Sequence, residues 1–173
     1  MKTQLKKALF MVIELLLRIV ISPYIRAKFI GFCGATVGKN VRIYEANFIN
    51  LDNGFKNLYI GNDVHIGMDC LIDLKGSVII QHGTTISPGV TILTHSDPGS
   101  QHNSPLCREF TPRSSDVQIG EYCWIGANST ILSGSNIEDC VVVGACSLVR
   151  GSLDSRAVYY GVPVVKKRSI LTG

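Results

Sequence analysis

Counting along the chain in sixes returns an apolar branched residue again and again. Ile119, Ile125, Ile131, Ile137, Val143 and Val149 follow one another at that interval without a break. Earlier, Val37, Ile43 and Ile49, then Ile60, Ile66 and Ile72, then Ile80, Ile86 and Ile92 repeat it. Four residues after most of them stands a compact side chain: Val41, Val64, Cys70, Thr84, Val90, Cys123, Ser129, Ser135, Val141 and Ser147. A helix with 3.6 residues per turn would scatter such a series around its circumference. Six is even, so in an extended chain both residues point to the same face. Short strands turned by the glycines that often follow (Gly38, Gly61, Gly67, Gly120, Gly126, Gly144) would stack these residues in columns. Three strands to a turn make an 18-residue coil rising by about 4.8 Å, one strand spacing. The pattern predicts an all-β chain wound as a parallel β-helix of about five coils.

Three interruptions break the count. "NLDNGFKNLY" separates Ile49 from Ile60, and two extra residues precede Ile80. The third, residues 94–116, is far longer and opens with His95 in "PGVTILTHSDPGS". Repeat proteins carry their special chemistry where insertions leave the stack, and a loop this long is functional or disordered. An imidazole, whose ordinary pKa is about 6.5, suits a general base at neutral pH.

Residues 1–30 are different material from residues 31–173. "LKKALFMVIELLLRIVISPYI" is greasy, yet Glu14 and Arg18 interrupt it at a spacing suited to a helical ion pair. The segment predicts an amphipathic helix ended by Pro23. That helix would pack on its own protein or a sister subunit, or lie in a membrane interface beside its lysines, Arg26 and Lys28. A span or secretory signal fits less well with the two charges. The rest of the chain reads as one β-helix domain, with loop 94–116 inserted and a tail at 157–173.

Charged residues make up only 17% of the chain and the formal net charge is +4, which suggests no nucleic-acid surface. The six cysteines lack C-x-x-C or zinc-finger spacing and read as reduced, apolar fillers. That usage predicts a cytoplasmic protein, with the membrane's inner face as the surface the first helix could meet. His65 and His82 occupy different stations in their strands, and His95 and His102 lack a paired spacing, so no metal is expected.

"VQIGEYCWIGANSTILSGSNIEDCVVVGACSLVRG" followed by "VYYGVPVVKKR", together with "SPGVTILTHSD", resembles the hexapeptide-repeat acyltransferases. The nearest flavour is the maltose, galactoside and cell-surface-polysaccharide O-acetyltransferases. The resemblance covers about residues 35–168. It implies a left-handed β-helix, against the general preference for right-handed crossovers. It also implies a homotrimer with acetyl-coenzyme A bound between subunits and a saccharide acceptor. His95 would be the base, its second nitrogen held by Asp97, Glu109 or a backbone carbonyl. Trp124, Gly126, Ala127 and Ala145 would flank the pantetheine arm, while Arg150, Lys166, Lys167 and Arg168 would meet its phosphates. Arg150 stands where the family usually has a small hydroxyl residue, and Val165 where it usually has a basic one. Asp73, one position off the family's acceptor-binding aspartate, and Asp97 are the acceptor candidates. The rival readings are an N-acetyltransferase of an amino-sugar nucleotide, a non-catalytic trimeric scaffold, and a metal-dependent hydratase of the same fold.

Overall fold

The computed structural model describes residues 2–17, 19–102 and 104–170, with side chains from Ala8 onward. The chain is a mostly parallel, left-handed β-helix whose cross-section is a triangle with three sheet faces. Face 1 stacks Thr36–Val37, Leu58–Ile60, Val78–Ile80, Val117–Ile119, Asn136–Ile137 and Ser152–Leu153. Face 2 stacks Arg42–Ile43, His65–Ile66, Thr85–Ile86, Trp124–Ile125, Val142–Val143 and Ala157–Tyr160. Face 3 stacks Ala46–Ile49, Cys70–Asp73, Thr91–Ile92, Thr130–Ile131 and Leu148–Val149. Five coils are complete, and a sixth is begun on faces 1 and 2.

The columns are those the spacing predicts, with one change of register. Ile43, Ile66, Ile86, Ile125, Val143 and Tyr159 lie above one another inside face 2. All are buried, and so are the compact residues beside them, such as Val64, Thr84, Ser129 and Ser147. Their hydroxyls are satisfied within the stack: the Thr84 Oγ donates to the Gly120 carbonyl at 2.7 Å, and the Ser129 Oγ to that of Gly144 at 2.9 Å. On face 3 the column starts with Phe48 rather than Ile49. Phe48 pairs with Ile72, whereas Ile49 pairs with Asp73 and faces outward. The strand Ala46–Ile49 alternates, and the aromatic ring takes the inner place because it buries the larger area.

Two helices, not one, precede the coils. Helix α1 runs Lys2–Leu17 and helix α2 runs Pro23–Phe32. Pro23 begins the second helix instead of ending the first. It sits at the first helical position, where its missing N–H costs nothing, behind Ser22 as N-cap. Arg26 is buried and donates to the carbonyls of Leu17 (3.0 Å), Ile43 (3.2 Å) and Val20. It ties the end of α1 and the link after it to α2 and the first coil, so it is not available to headgroups as expected. The proposed Glu14–Arg18 pair involves Arg18, which lies outside the described residues, as do the side chains of Lys2, Lys6 and Lys7. No described helix is long and apolar enough to cross a membrane.

The chain end also differs from a simple tail. After Ala157–Tyr160 it turns back, and Val165–Ser169 adds to face 2 as an antiparallel strand.

Coil corners are tight because successive coils sit one strand spacing apart. A Cβ on Gly126 would lie 2.5 Å from the Ala145 nitrogen and 2.7 Å from the Val143 carbonyl oxygen in the next coil. Backbone atoms cannot swing aside, so Gly126→Ala should lower unfolding free energy by about 1–3 kcal/mol. Chemical denaturation checks this; an unchanged midpoint would show that the coils separate easily.

Candidate active site

The long insertion leaves and returns at one corner, between faces 3 and 1. His95–Ser96 and Arg113–Ser114 form an antiparallel ribbon, with His95 opposite Ser114 and Ser96 opposite Arg113. Two 3-10 turns, Ser100–His102 and Pro105–Arg108, lie between them. The Thr94 carbonyl holds the ribbon's base by accepting from the Ser115 N–H (2.9 Å), the Ser114 hydroxyl (3.1 Å) and the Ser133 hydroxyl (3.0 Å). His95 is thereby fixed to a rigid coil, although it belongs to a loop.

One coil below that corner lies Asp73. Its side chain has no solvent exposure, and both oxygens are occupied. Oδ1 accepts from the Asn50 amide at 2.8 Å and the Lys75 N–H at 3.1 Å. Oδ2 accepts from the Thr94 N–H at 2.9 Å and lies 3.0 Å from the Thr94 hydroxyl and 2.5 Å from His95 Nδ1. Burial alone would raise the carboxyl pKa. The donors from His95, Asn50, Thr94 and Lys75 outweigh it and bring the value down to about 2. The group is therefore a carboxylate near neutral pH and can only accept. The proton on the shared bond belongs to His95 Nδ1, which leaves Nε2 as the ring's lone-pair nitrogen in the neutral imidazole.

The imidazole is 29% exposed and lines a cleft of about 240 Å³ with Lys75, Ser96, Asp97, Pro112, Arg113 and Ser114. This cleft has room for part of a small molecule beside the ring.

The sequence reading offered Asp97, Glu109 or a backbone carbonyl as the group orienting His95, and none of them does so. Asp97 turns into its own loop, accepting from the Gly99 and Ser100 N–H groups and the Ser100 hydroxyl. The Ser100 hydroxyl is the main cause of its lowered pKa. Glu109 is exposed at the end of the second 3-10 turn. Asp73, read as an acceptor contact, is sealed beneath the imidazole and cannot touch a bound molecule while its donors hold. Asn50 and Thr94 were not singled out at all. Their signal was available: Ile72 and Ile92 share a column, so Asp73 stands directly under Leu93 at the corner where the histidine departs.

Most of the expected donor-binding residues lie away from that corner. Trp124 lies on the outside of face 2, 56% exposed, with its indole N–H donating to the Ser87 hydroxyl at 3.0 Å. Gly126 and Ala127 turn the corner from face 2 to face 3, and Ala145 turns the same corner one coil higher. Among the described residues neither Ala127 nor Ala145 gives its N–H to another group. On the added strand, Lys167 lies 4.6 Å above the Tyr160 ring, Lys166 is 3.9 Å from Asp154, and Arg168 is exposed opposite Val158. Arg150 is exposed at the corner between faces 3 and 1, two coils above the histidine. A single protomer therefore carries His95 on one edge and Trp124, Ala127 and Ala145 around another. No three His, Cys, Asp or Glu side chains among the described residues converge as metal ligands.

Because Asp73 titrates well below an ordinary aspartate, its stabilisation is complete above about pH 4 and is lost as pH falls through about 2. The shift corresponds to about 2 kcal/mol. Between pH 5 and pH 2 the wild type should lose about that much more stability than Asp73→Asn. Denaturation curves at each pH test this, and parallel losses in both proteins would refute the buried-carboxylate assignment.

Residues 116–151 match the bacterial transferase hexapeptide (six repeats) family. The chain is 39% identical over 119 residues to a candidate lipopolysaccharide biosynthesis O-acetyl transferase, WbbJ, of Escherichia coli K12. That alignment covers 64% of this chain and 58% of the relative, so the chain spans less than two thirds of that protein's length. It is 33% identical over 141 residues to a candidate colanic acid biosynthesis acetyltransferase, WcaF, of the same organism, covering 81% and 72% of the two chains. A dTDP-4-amino-4,6-dideoxy-D-glucose acyltransferase of Escherichia coli is 29% identical, with 80% and 73% covered. Among solved structures, a galactoside acetyltransferase in complex with coenzyme A superposes with a TM-score of 0.72 at 28% identity, over 84% of this chain and 70% of that one. A hexapeptide-repeat-containing acetyltransferase of Vibrio cholerae, VCA0836, shares the fold over 99% and 94% of the chains with a TM-score of 0.84 at 17% identity. With the stacked hexads, the histidine loop and these relatives in agreement, the chain belongs to the hexapeptide-repeat acyltransferase family.

Proposed function

We propose that the protein moves an acetyl group from acetyl-coenzyme A to a saccharide hydroxyl, with His95 as general base. One observation carries this reading: an imidazole tied through Nδ1 to a buried carboxylate at 2.5 Å, beside an open cleft. A sugar hydroxyl is a poor nucleophile until it loses its proton. His95 Nε2 takes that proton as the hydroxyl oxygen attacks the thioester carbonyl carbon. The carbon–sulfur bond then breaks, and the imidazolium returns the proton to the leaving thiolate. Asp73 stays ionised throughout and steadies the imidazolium; it is a positioning residue, since it touches neither substrate.

The donor side fits the residues on the other edge. The N–H groups of Ala127 and Ala145 suit the carbonyls of an extended pantetheine arm, with Trp124 beside them. Lys166, Lys167 and Arg168 suit the phosphates, and Arg150 stands as a further cation. Because Trp124, Ala127 and Ala145 occupy a different edge of the prism from His95, the reading requires a site shared between neighbouring protomers, as in a closed trimer. The two surface-polysaccharide relatives support a glycan-precursor acceptor. The amino-sugar relative favours a second reading, transfer to an amine. Free amines need less help from a base, so an acceptor panel holding both amino sugars and plain sugars separates the two.

His95→Asn should reduce acetyl transfer by about 10²–10⁴-fold at saturating donor. Release of free thiol across the acceptor panel measures this, and an undiminished rate in the variant would overturn the mechanism. Mixing His95→Asn with Ala145→Trp in one assembly should restore activity at about a quarter of the sites, because each damaged subunit supplies what the other lacks. Mixtures as inactive as the separate variants would contradict the shared site.

A further inference from the structure

The outward surface of the helical cap is the wrong way round for water. Helix α1 docks through Phe10, Ile13, Glu14 and Leu17, spaced as one helical stripe, with the Phe10 ring 6.2 Å from that of Phe55. Gly54 is required beneath it, since a Cβ there would strike the Phe10 ring. The remaining described positions of α1 (Ala8, Leu9, Met11, Val12, Leu15 and Leu16) are exposed and apolar without exception. The surface continues through Ile19, Ile21 at 94% exposure, Tyr24, Ile25, Phe29 and Phe32 at 89%. Apolar area on that scale marks a contact surface rather than a solvated one.

Charge decides what covers it. Residues 1–32 hold one acidic side chain, Glu14, and six basic ones: Lys2, Lys6, Lys7, Arg18, Arg26 and Lys28. Glu14 is buried and Arg26 is spent on backbone carbonyls, which leaves Lys28 as the one exposed charge among described residues 8–32. The backbone sets Lys2, Lys6 and Lys7 in the first two turns of α1. A second copy laid cap to cap would bring cations against cations. An anionic lipid surface offers the complement: acyl chains for the apolar side chains, negative charge for the net positive charge of residues 1–32, and an interface suited to Tyr24. At 16 residues α1 is about 24 Å long, too short for a bilayer core of about 30 Å, and one side of it is committed to the coil. It can lie in the interface but not cross.

We propose that α1 and α2 form a peripheral docking face for anionic membranes. The test is sedimentation of the full chain with vesicles of phosphatidylcholine alone and with phosphatidylglycerol added, beside light scattering without lipid. The wild type should partition about tenfold or more in favour of the anionic vesicles, less so in high salt. Leu16→Glu, Ile21→Glu and Phe32→Glu together should abolish binding while leaving the thermal unfolding midpoint unchanged, because all three positions are exposed. Two results would overturn the proposal. One is a wild type that stays in the supernatant with both vesicles. The other is a particle mass that drops in the triple variant while neither protein binds lipid, which would mean that a second copy covers the face.

Discussion

Each coil must repeat the previous one in register, because parallel strand pairing binds every inward branched residue over its counterpart below. A slip of one residue would turn the buried column outward. An insertion is therefore tolerated only at a corner, and only if it re-enters where it left. Loop 94–116 meets this rule with an antiparallel ribbon whose base is pinned by three donors on the Thr94 carbonyl. The same constraint that stabilises the prism thus supplies a rigid seat for a loop histidine, the usual arrangement when chemistry is carried on a scaffold.

Beneath that seat, three successive coils contribute one polar stack. Asn50 from the first, Asp73 from the second and Thr94 from the third meet at a single corner. A buried carboxylate with too few partners would be costly. Here backbone N–H groups, an amide and an imidazole satisfy both oxygens, and the charge is kept where a neutral acid would otherwise form. The consequence for the histidine is directional: its Nδ1 is spoken for, and Nε2 is the ring nitrogen left to accept a proton.

How much of this could be read beforehand follows the physics of each part. Columns such as Ile66–Ile86–Ile125 were legible because periodicity of six has one extended-chain solution. His95 was legible as the residue at which a regular chain departs. The contact of Asp73 with His95 is not legible locally, because an aspartate at a corner has the same local sequence whether it turns the chain, meets a ligand or supports a side chain from the next coil. Only register bookkeeping through Ile72 and Ile92 distinguishes them. Phe48 displaced Ile49 because size, not branching, decided the inner place. Arg26 looks in sequence like a flanking surface cation, yet it is buried among the carbonyls of Leu17, Val20 and Ile43, a convergence from two separate segments that a linear sequence does not display.

The account depends on which ring nitrogen of His95 carries the proton. Nitrogen NMR of the selectively labelled neutral imidazole reads this directly. A proton on Nδ1 with a bare Nε2, shifting to the opposite pattern or to tautomer exchange in Asp73→Asn, is the result the geometry predicts. A neutral ring protonated on Nε2 in the wild type would contradict it, because no lone pair would then face the cleft.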